Sequence, residues 1–295
     1  MHNPIYLVLP VISAIVYTFA AMLFKKVLEK GVNLWYLNFL ANLGTCVFVI
    51  PLYFFGNHCG ASIPILPPFI IGGLFIAGQA FSLISLKHGD VSVATPLLGT
   101  KVLMVAFFTV ILLHIPVSFL LWSAAILTIF ALFLLRGNDS KSKKNFLPTV
   151  IYSLLCAFCF ALSDIYLQKW SPLYGPDNLV FVVFMYVTVL SIGFFPLFIK
   201  NKLLFPAPIF IPMITSVIFI GFQTTLMAIA LSRFGNATAV NIVFSSRGMW
   251  SVVFTWFLGN LLGNNERLLG KRVFVKRMFG SFLILIALLL VLIKV

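Results

Sequence analysis

Two cations stand in stretches apolar enough to cross a bilayer. Lys101 lies near the centre of "ATPLLGTKVLMVAFF" (94–108), and Arg247 lies in the similarly apolar "AVNIVFSSRGMWSVV" (239–253). A Lys or Arg at a helix centre costs about 2.5–3.5 kcal/mol on insertion scales, so it faces a polar interior and does a job there. The bland uses are a structural ion pair or a side chain snorkelling toward the interface. The chain has six acidic residues. Glu29, Asp90, Asp139, Asp177 and Glu266 fall in loops or turns, and only Asp164, in "FALSDIYLQKW", falls inside an apolar run. One carboxylate cannot neutralise two buried cations, and an unfilled positive charge in a membrane cavity is a site for an anion. Asp164 itself has three readings: an ion pair with Arg247 or Lys101, a contact with Lys169 near the helix end, or proton coupling.

Composition fixes the setting of these groups. Hydrophobic residues make up 62% of the chain, charged residues 9%, and the mean hydropathy is +1.13, where a soluble domain has about 25% charged residues. The chain is therefore an integral membrane protein. Its net charge of +14 sits in short clusters between apolar runs, which read as loops facing anionic lipid rather than as a nucleic-acid surface. The first apolar run, Ile5 to Phe24, has no Lys or Arg before it and is long enough to span, which predicts a retained helix rather than a cleaved signal.

Runs of about 20 apolar residues separated by Gly, Pro and charge give ten spans, at 5–24, 34–55, 67–87, 92–113, 117–135, 148–168, 178–199, 208–231, 237–262 and 273–293. They lack the alternation of barrel strands, so the fold is all-α. The polar linker "RGNDSKSKKNF" (136–146) divides the spans five and five. The expected organisation is a first five-helix repeat at 1–136, a basic linker at 137–147 and a second five-helix repeat at 148–295.

A repeat test supports the division. Arg247 stands 146 residues after Lys101, and the same shift lays "KHGDVSVATPLLGTK" (87–101) on "RFGNATAVNIVFSSR" (233–247). Gly89 meets Gly235, Asp90 meets Asn236, Thr95 meets Asn241 and Thr100 meets Ser246. With five spans per half, the second repeat must insert upside down, and inverted repeats of this kind place a substrate near the midplane where they meet. Thr95, Asn241, Gln79 in span 3 and Gln223 in span 8 join the two cations as candidate substrate contacts, each competing with a role in helix packing.

Ten spans in two halves, a short Gly-containing turn between the third and fourth span of each half ("HGD" at 88–90, "FGN" at 234–236) and a basic central linker make the chain similar to the drug/metabolite transporter superfamily, specifically its tandem EamA-domain members. The resemblance implies a secondary transporter in which the first four helices of each half surround a central cavity, with Gly89 and Gly235 as gating turns. It also implies a Glu just after the fourth span of a half. This chain has His114 in "LLHIPVS" instead, and Glu266 several residues later than expected in the second half.

Charge and resemblance differ on orientation. The loops after spans 1, 3, 5, 7 and 9, counted with Lys87, Lys276 and Arg277 at the adjoining span ends, hold fifteen Lys and Arg, and the remaining loops and termini hold three. The positive-inside rule then places both termini outside the plasma membrane, whereas the resemblance implies cytoplasmic termini. The charge count belongs to this chain and is followed here.

The rest narrows the function class. Cys156 and Cys159 form a C-x-x-C inside span 6, short of the four ligands that zinc needs, and no H-E-x-x-H, P-loop or dinucleotide fingerprint is present. No catalytic residue, metal or cofactor is expected. An enzyme acting on a lipid or isoprenoid needs clustered carboxylates or histidines, and a cation pathway would be repelled by Lys101 and Arg247. The expected function is secondary transport of a small organic metabolite, anionic or carboxylate-bearing, with neutral, zwitterionic or cationic solutes and the membrane enzyme as alternatives. Spans 5 and 10 are the most uniformly apolar and are expected at the periphery, against lipid or a second copy of the chain.

Overall fold

Backbone groups in a bilayer have no water to bond, which leaves the helix as the economical solution for each apolar run. The computed structural model describes residues 4–56, 62–88, 97–135, 146–194, 207–258 and 271–294, and among them no strand occurs. A 3-10 turn at Pro4–Leu7 leads into α1 (Val8–Glu29), followed by α2 (Leu34–Phe55), α3 (Leu66–His88), α4 (Lys101–Leu113) and α5 (Phe119–Leu135). After the linker come α6 (Phe146–Tyr174), α7 (Pro176–Ser191), α8 (Ala207–Phe234), α9 (Ala237–Phe244), α10 (Arg247–Leu258) and α11 (Lys271–Lys294). Helices α1, α2, α3, α6 and α8 are each long and apolar enough to cross a membrane, and α4, α5, α7 and α11 are shorter apolar helices. Helices α9 and α10 together make up the ninth span. All ten expected spans are thus helical where described.

Local chemistry sets the helix ends. Asn33 starts α2 by accepting the Trp35 and Tyr36 amides, and Pro176 opens α7 after Gly175, whose φ of +81° only glycine adopts easily. His114 closes α4 in the left-handed region, at φ 55°.

Three expectations need correction. The ninth span is not one helix over 237–262: it is interrupted by a turn at Ser245–Ser246, and residues beyond 258 lie outside the described ones. Likewise the fourth span is interrupted by a turn at Gly99–Thr100, with Leu97 and Leu98 helical before it and α4 starting at Lys101 after it; its expected start at 92 lies outside the described residues. Lys101 and Arg247 therefore head helices rather than sitting at helix centres. Third, Asp177 is no loop carboxylate. It lies in the first turn of α7 with no solvent exposure and takes a bidentate pair from Arg233, Nε to Oδ1 at 2.8 Å and Nη2 to Oδ2 at 2.7 Å.

Packing follows a simple scheme. Helix α3 runs along α6, α1 along α8, and α5 along α11; α2 touches α7 and α8, and α3 also touches α7. Helix α4 packs on α6, and α1 on α9 and α10. Glycines permit a close approach between α2 and α8: a Cβ on Gly221 would lie 2.6 Å from the Gly44 carbonyl carbon. Helices α5 and α11 bury Ala131, Leu132 and Ile284 against each other and leave Phe119, Phe130, Phe282 and Leu289 outward.

Candidate functional site

The heads of α4 and α10 are built alike. Thr100 N–H donates to Leu97 O, Val102 N–H to Gly99 O and Met104 N–H to Thr100 O. The same three bonds recur 146 residues later, as Ser246 to Val243, Gly248 to Ser245 and Trp250 to Ser246. Each is a 3-10-type tightening followed at once by a new α-helix, and such turns inside a helical segment often mark functional positions. Serine and threonine here offer the backbone an alternative to the regular ladder; Thr100 Oγ1 donates to Leu97 O at 2.6 Å. The first residue after each turn is the cation.

Beyond the backbone the two heads differ. Lys101 Nζ lies 2.7 Å from Asp164 Oδ2 of α6, with side-chain exposures of 21% and 11%, so the pair is partly reachable from the interior. Asn241 of α9 donates to the same carboxylate oxygen at 2.8 Å and to Ala237 O at 3.0 Å. Three segments distant in sequence thus converge on one carboxylate. Lys101 also sits 5.7 Å from the Phe160 ring centre.

Arg247 has different company. Its guanidinium lies over the rings of Tyr17 and Phe244, each at 4.9 Å, close enough for cation–π attraction. No carboxylate comes within ion-pair distance of it among the described residues; the pairs found there are Lys25–Glu29, Lys101–Asp164 and Arg233–Asp177. Thr18 of α1 donates to the Arg247 backbone carbonyl at 3.2 Å and to Ala14 O at 2.7 Å. The neighbouring Ser246 Oγ is buried without a hydrogen-bond partner, as is Trp250 Nε1 one turn on. Cys156 on α6 lies within electrostatic range of both Lys101 and Arg247.

The other expected contacts are engaged within the protein. Gln79 bonds Asn38 and Asn42 of α2, accepting from both and donating to Asn42 Oδ1 at 2.8 Å. Gln223 accepts from Ser13 of α1 and donates to Thr224. Both glutamines therefore join helices in this structure. Thr95 and Gly89 lie outside the described residues, as do Asp90, Asp139 and Glu266. Gly235 has φ +64° and is gripped by Gln168 of α6, which donates to Gly235 O and accepts from Ala237 N–H at 2.9 Å. Asn236 caps α9 through Ala239 N–H and donates to Tyr6 Oη at 3.1 Å.

Gln168, Tyr17 and Thr18 are site neighbours that the reading of the sequence did not single out. Thr18 had a signal available, since the same shift of 146 residues lays it on Asp164. A cavity of about 470 Å³ opens beside the Gly235 turn, lined by Tyr6, Thr109, Gln168, Asn236 and Thr238 among others. It lies about one helical turn beyond Asp164 at Gln168, about 6 Å along α6. The buried Cys156 and Cys159 pack in the interior, and no cluster of metal-ligating side chains occurs among the described residues.

Comparison with known proteins agrees with this architecture. A solved structure titled "Crystal structure of protein" superposes with a TM-score of 0.75 over 98% of this chain and 99% of its own, at 14% identity, which shows a shared fold. No curated protein matches the chain. The profile of the EamA-like transporter family matches residues 4–137, ending at the start of the central linker. Over that stretch the chain is similar to the EamA-like transporter family.

Proposed function

We propose that the chain is a secondary transporter of a small organic metabolite bearing a negative group, which it receives in the interior layer between the heads of α4 and α10. The observation that carries this reading is Arg247: a cation in the interior of a membrane-spanning bundle, held over two rings and without a carboxylate among the described residues. A ring over the flat guanidinium leaves its in-plane N–H fork free, and that fork matches a carboxylate or phosphate. Secondary transport of such a group across the membrane proceeds by alternating access.

Two inverted five-helix repeats, divided by the linker, supply the machinery in this reading. Supporting it, span pairs recur five spans on: 3 with 6 answers 8 with 1, 4 with 6 answers 9 with 1, and 8 with 2 answers 3 with 7. The pairs 2 with 7 and 5 with 10 answer themselves. Where spans 2 and 7 meet, Thr188 donates to Asn42 O, and these residues are themselves 146 apart. The Gly235 turn, clamped by Gln168 beside the cavity, is the gate on that side. Asp164, bonded to both halves, is placed to couple substrate binding to closure.

The test is binding and uptake of anionic metabolites by the purified protein and by proteoliposomes. Arg247→Met removes the charge and keeps much of the stem. Losing a charge-assisted hydrogen bond is expected to weaken affinity ten- to a hundredfold, about 1.5–3 kcal/mol. Unchanged affinity in folded Arg247→Met would sink the anion site.

The proposal places the protein in the plasma membrane with both termini outside, following the bias of basic residues. In a variant otherwise free of cysteine, a single Cys at position 142 (Ser142→Cys) in the basic linker is expected to resist a membrane-impermeant thiol reagent in intact cells until they are permeabilised. Immediate labelling would reverse the orientation.

A further inference from the structure

The two halves treat their cations unequally, and the difference specifies the cargo. Under the shift of 146 residues Lys101 answers Arg247 and Asp164 answers Thr18. The positions meet in the same order: Asp164 on α6 meets the Lys101 ammonium at the head of α4, and Thr18 on α1 meets the Arg247 backbone carbonyl at the head of α10. In the first instance the partner is a carboxylate that neutralises the cation. In the second it is a neutral hydroxyl, spent on backbone carbonyls. The carboxylate that would complete the second pair is missing, and the buried Ser246 hydroxyl beside Arg247 is left without a partner.

We infer that Asp164 is a resident stand-in for an anion at the Lys101 head, and that the cargo's single negative group takes the corresponding place at Arg247. Resting on the anion-transport reading above, this makes the substrate class a monovalent organic anion, in particular a monocarboxylate. Two cations and one carboxylate leave this layer one positive charge. A monoanion balances it, whereas a dianion brings a second charge that finds Lys101 already taken. Displacing Asp164 from Lys101 would free a second cation only by exposing the carboxylate itself, which still bonds Asn241. Lys101 is then a positioning residue for Asp164 and α9, and Arg247 alone touches the cargo.

The experiment compares matched monocarboxylates and dicarboxylates, butyrate with succinate and benzoate with isophthalate, by thermal stabilisation and equilibrium dialysis on the purified full chain. Wild type is expected to bind a monocarboxylate at least about tenfold more tightly than its dicarboxylate match, the size of one charge-assisted contact. Arg247→Met removes the receiving charge and Thr18→Asp fills the vacancy with a protein carboxylate, so both are expected to lose that binding. Asp164→Asn frees Lys101 and shifts preference toward the dicarboxylate by about tenfold. The double variant Lys101→Met/Asp164→Asn removes the pair without changing the net charge. It is expected to lack the shift toward the dicarboxylate that Asp164→Asn shows, whatever its absolute affinity, and it decides the matter even where Asp164→Asn folds poorly.

A dicarboxylate preference in wild type, or a shift toward the dicarboxylate in the double variant, overturns the inference while leaving an anion transporter. Failure of all four probes to stabilise wild type overturns the inference and counts against the anion site as well. Monocarboxylate binding that survives Thr18→Asp overturns the assignment of the vacancy to Thr18.

Discussion

Arg233→Met is expected to lower the stability of the folded protein by about 3 kcal/mol, at the lower end of the range for breaking a buried pair because Arg233 is itself 39% exposed. The asymmetry of the pair sets the size. Asp177 has no exposure, and the guanidinium binds both its oxygens. Removing the guanidinium takes two charged hydrogen bonds from a carboxylate that water does not reach. The packing closes off relaxation, since a Cβ added at Gly56, just beyond α2, would meet Asp177 Cβ at 2.5 Å. The double variant Arg233→Met/Asp177→Asn removes the buried charge while keeping the shape, and is expected to recover most of the loss. The measurement is the thermal midpoint in detergent together with the yield of monodisperse protein. Equal destabilisation in the single and double variants would mean that packing by the Arg stem, not the ion pair, holds α7 to α8.

Gly221→Ala is expected to be nearly as damaging, for a purely steric reason. The added methyl would lie 2.6 Å from Gly44 C, 2.8 Å from Gly44 O and 2.8 Å from Thr45 N. All three are backbone atoms, so no side chain can swing aside and α8 must move off α2. Overpacking of this kind costs about 1–3 kcal/mol and occasionally more, and helix pairs in membranes depend on close approach at small residues because lipid supplies little hydrophobic drive between them. Gly73→Ala in α3 is the control: nothing lies within 4 Å of its added Cβ, and alanine is the better helix former. The expected order of thermal midpoints is Gly73→Ala at or above wild type and Gly221→Ala well below. A Gly221→Ala midpoint equal to wild type would show that α2 and α8 separate at little cost.

What could be read along the chain was whatever depends on local composition. Apolar runs of membrane length become helices because the bilayer leaves the backbone few alternatives, so all ten spans were legible from their residues. Gly235 and Asn236 announced the turn between α8 and α9 by their conformational preferences. The correspondence between Lys101 and Arg247 was also present in spacing alone.

Which groups meet across those spans belongs to the tertiary structure. The turn at Ser245–Ser246 carries neither Pro nor a left-handed Gly, so hydropathy runs straight through it. Asp177 looked like a loop residue because its neighbours Gly175 and Pro176 make a turn, and only the arrival of Arg233 from α8 explains its burial. Gln79 and Gln223 read equally as substrate contacts or as helix-packing groups, and Asn42 and Ser13, each from another helix, decide for packing in this structure. The choice of Asp164 for Lys101 rather than for Arg247 is of the same kind. A charge in a bilayer interior must be matched at a distance of a few ångströms. The sequence states which charges exist, but helix packing decides which of them come that close.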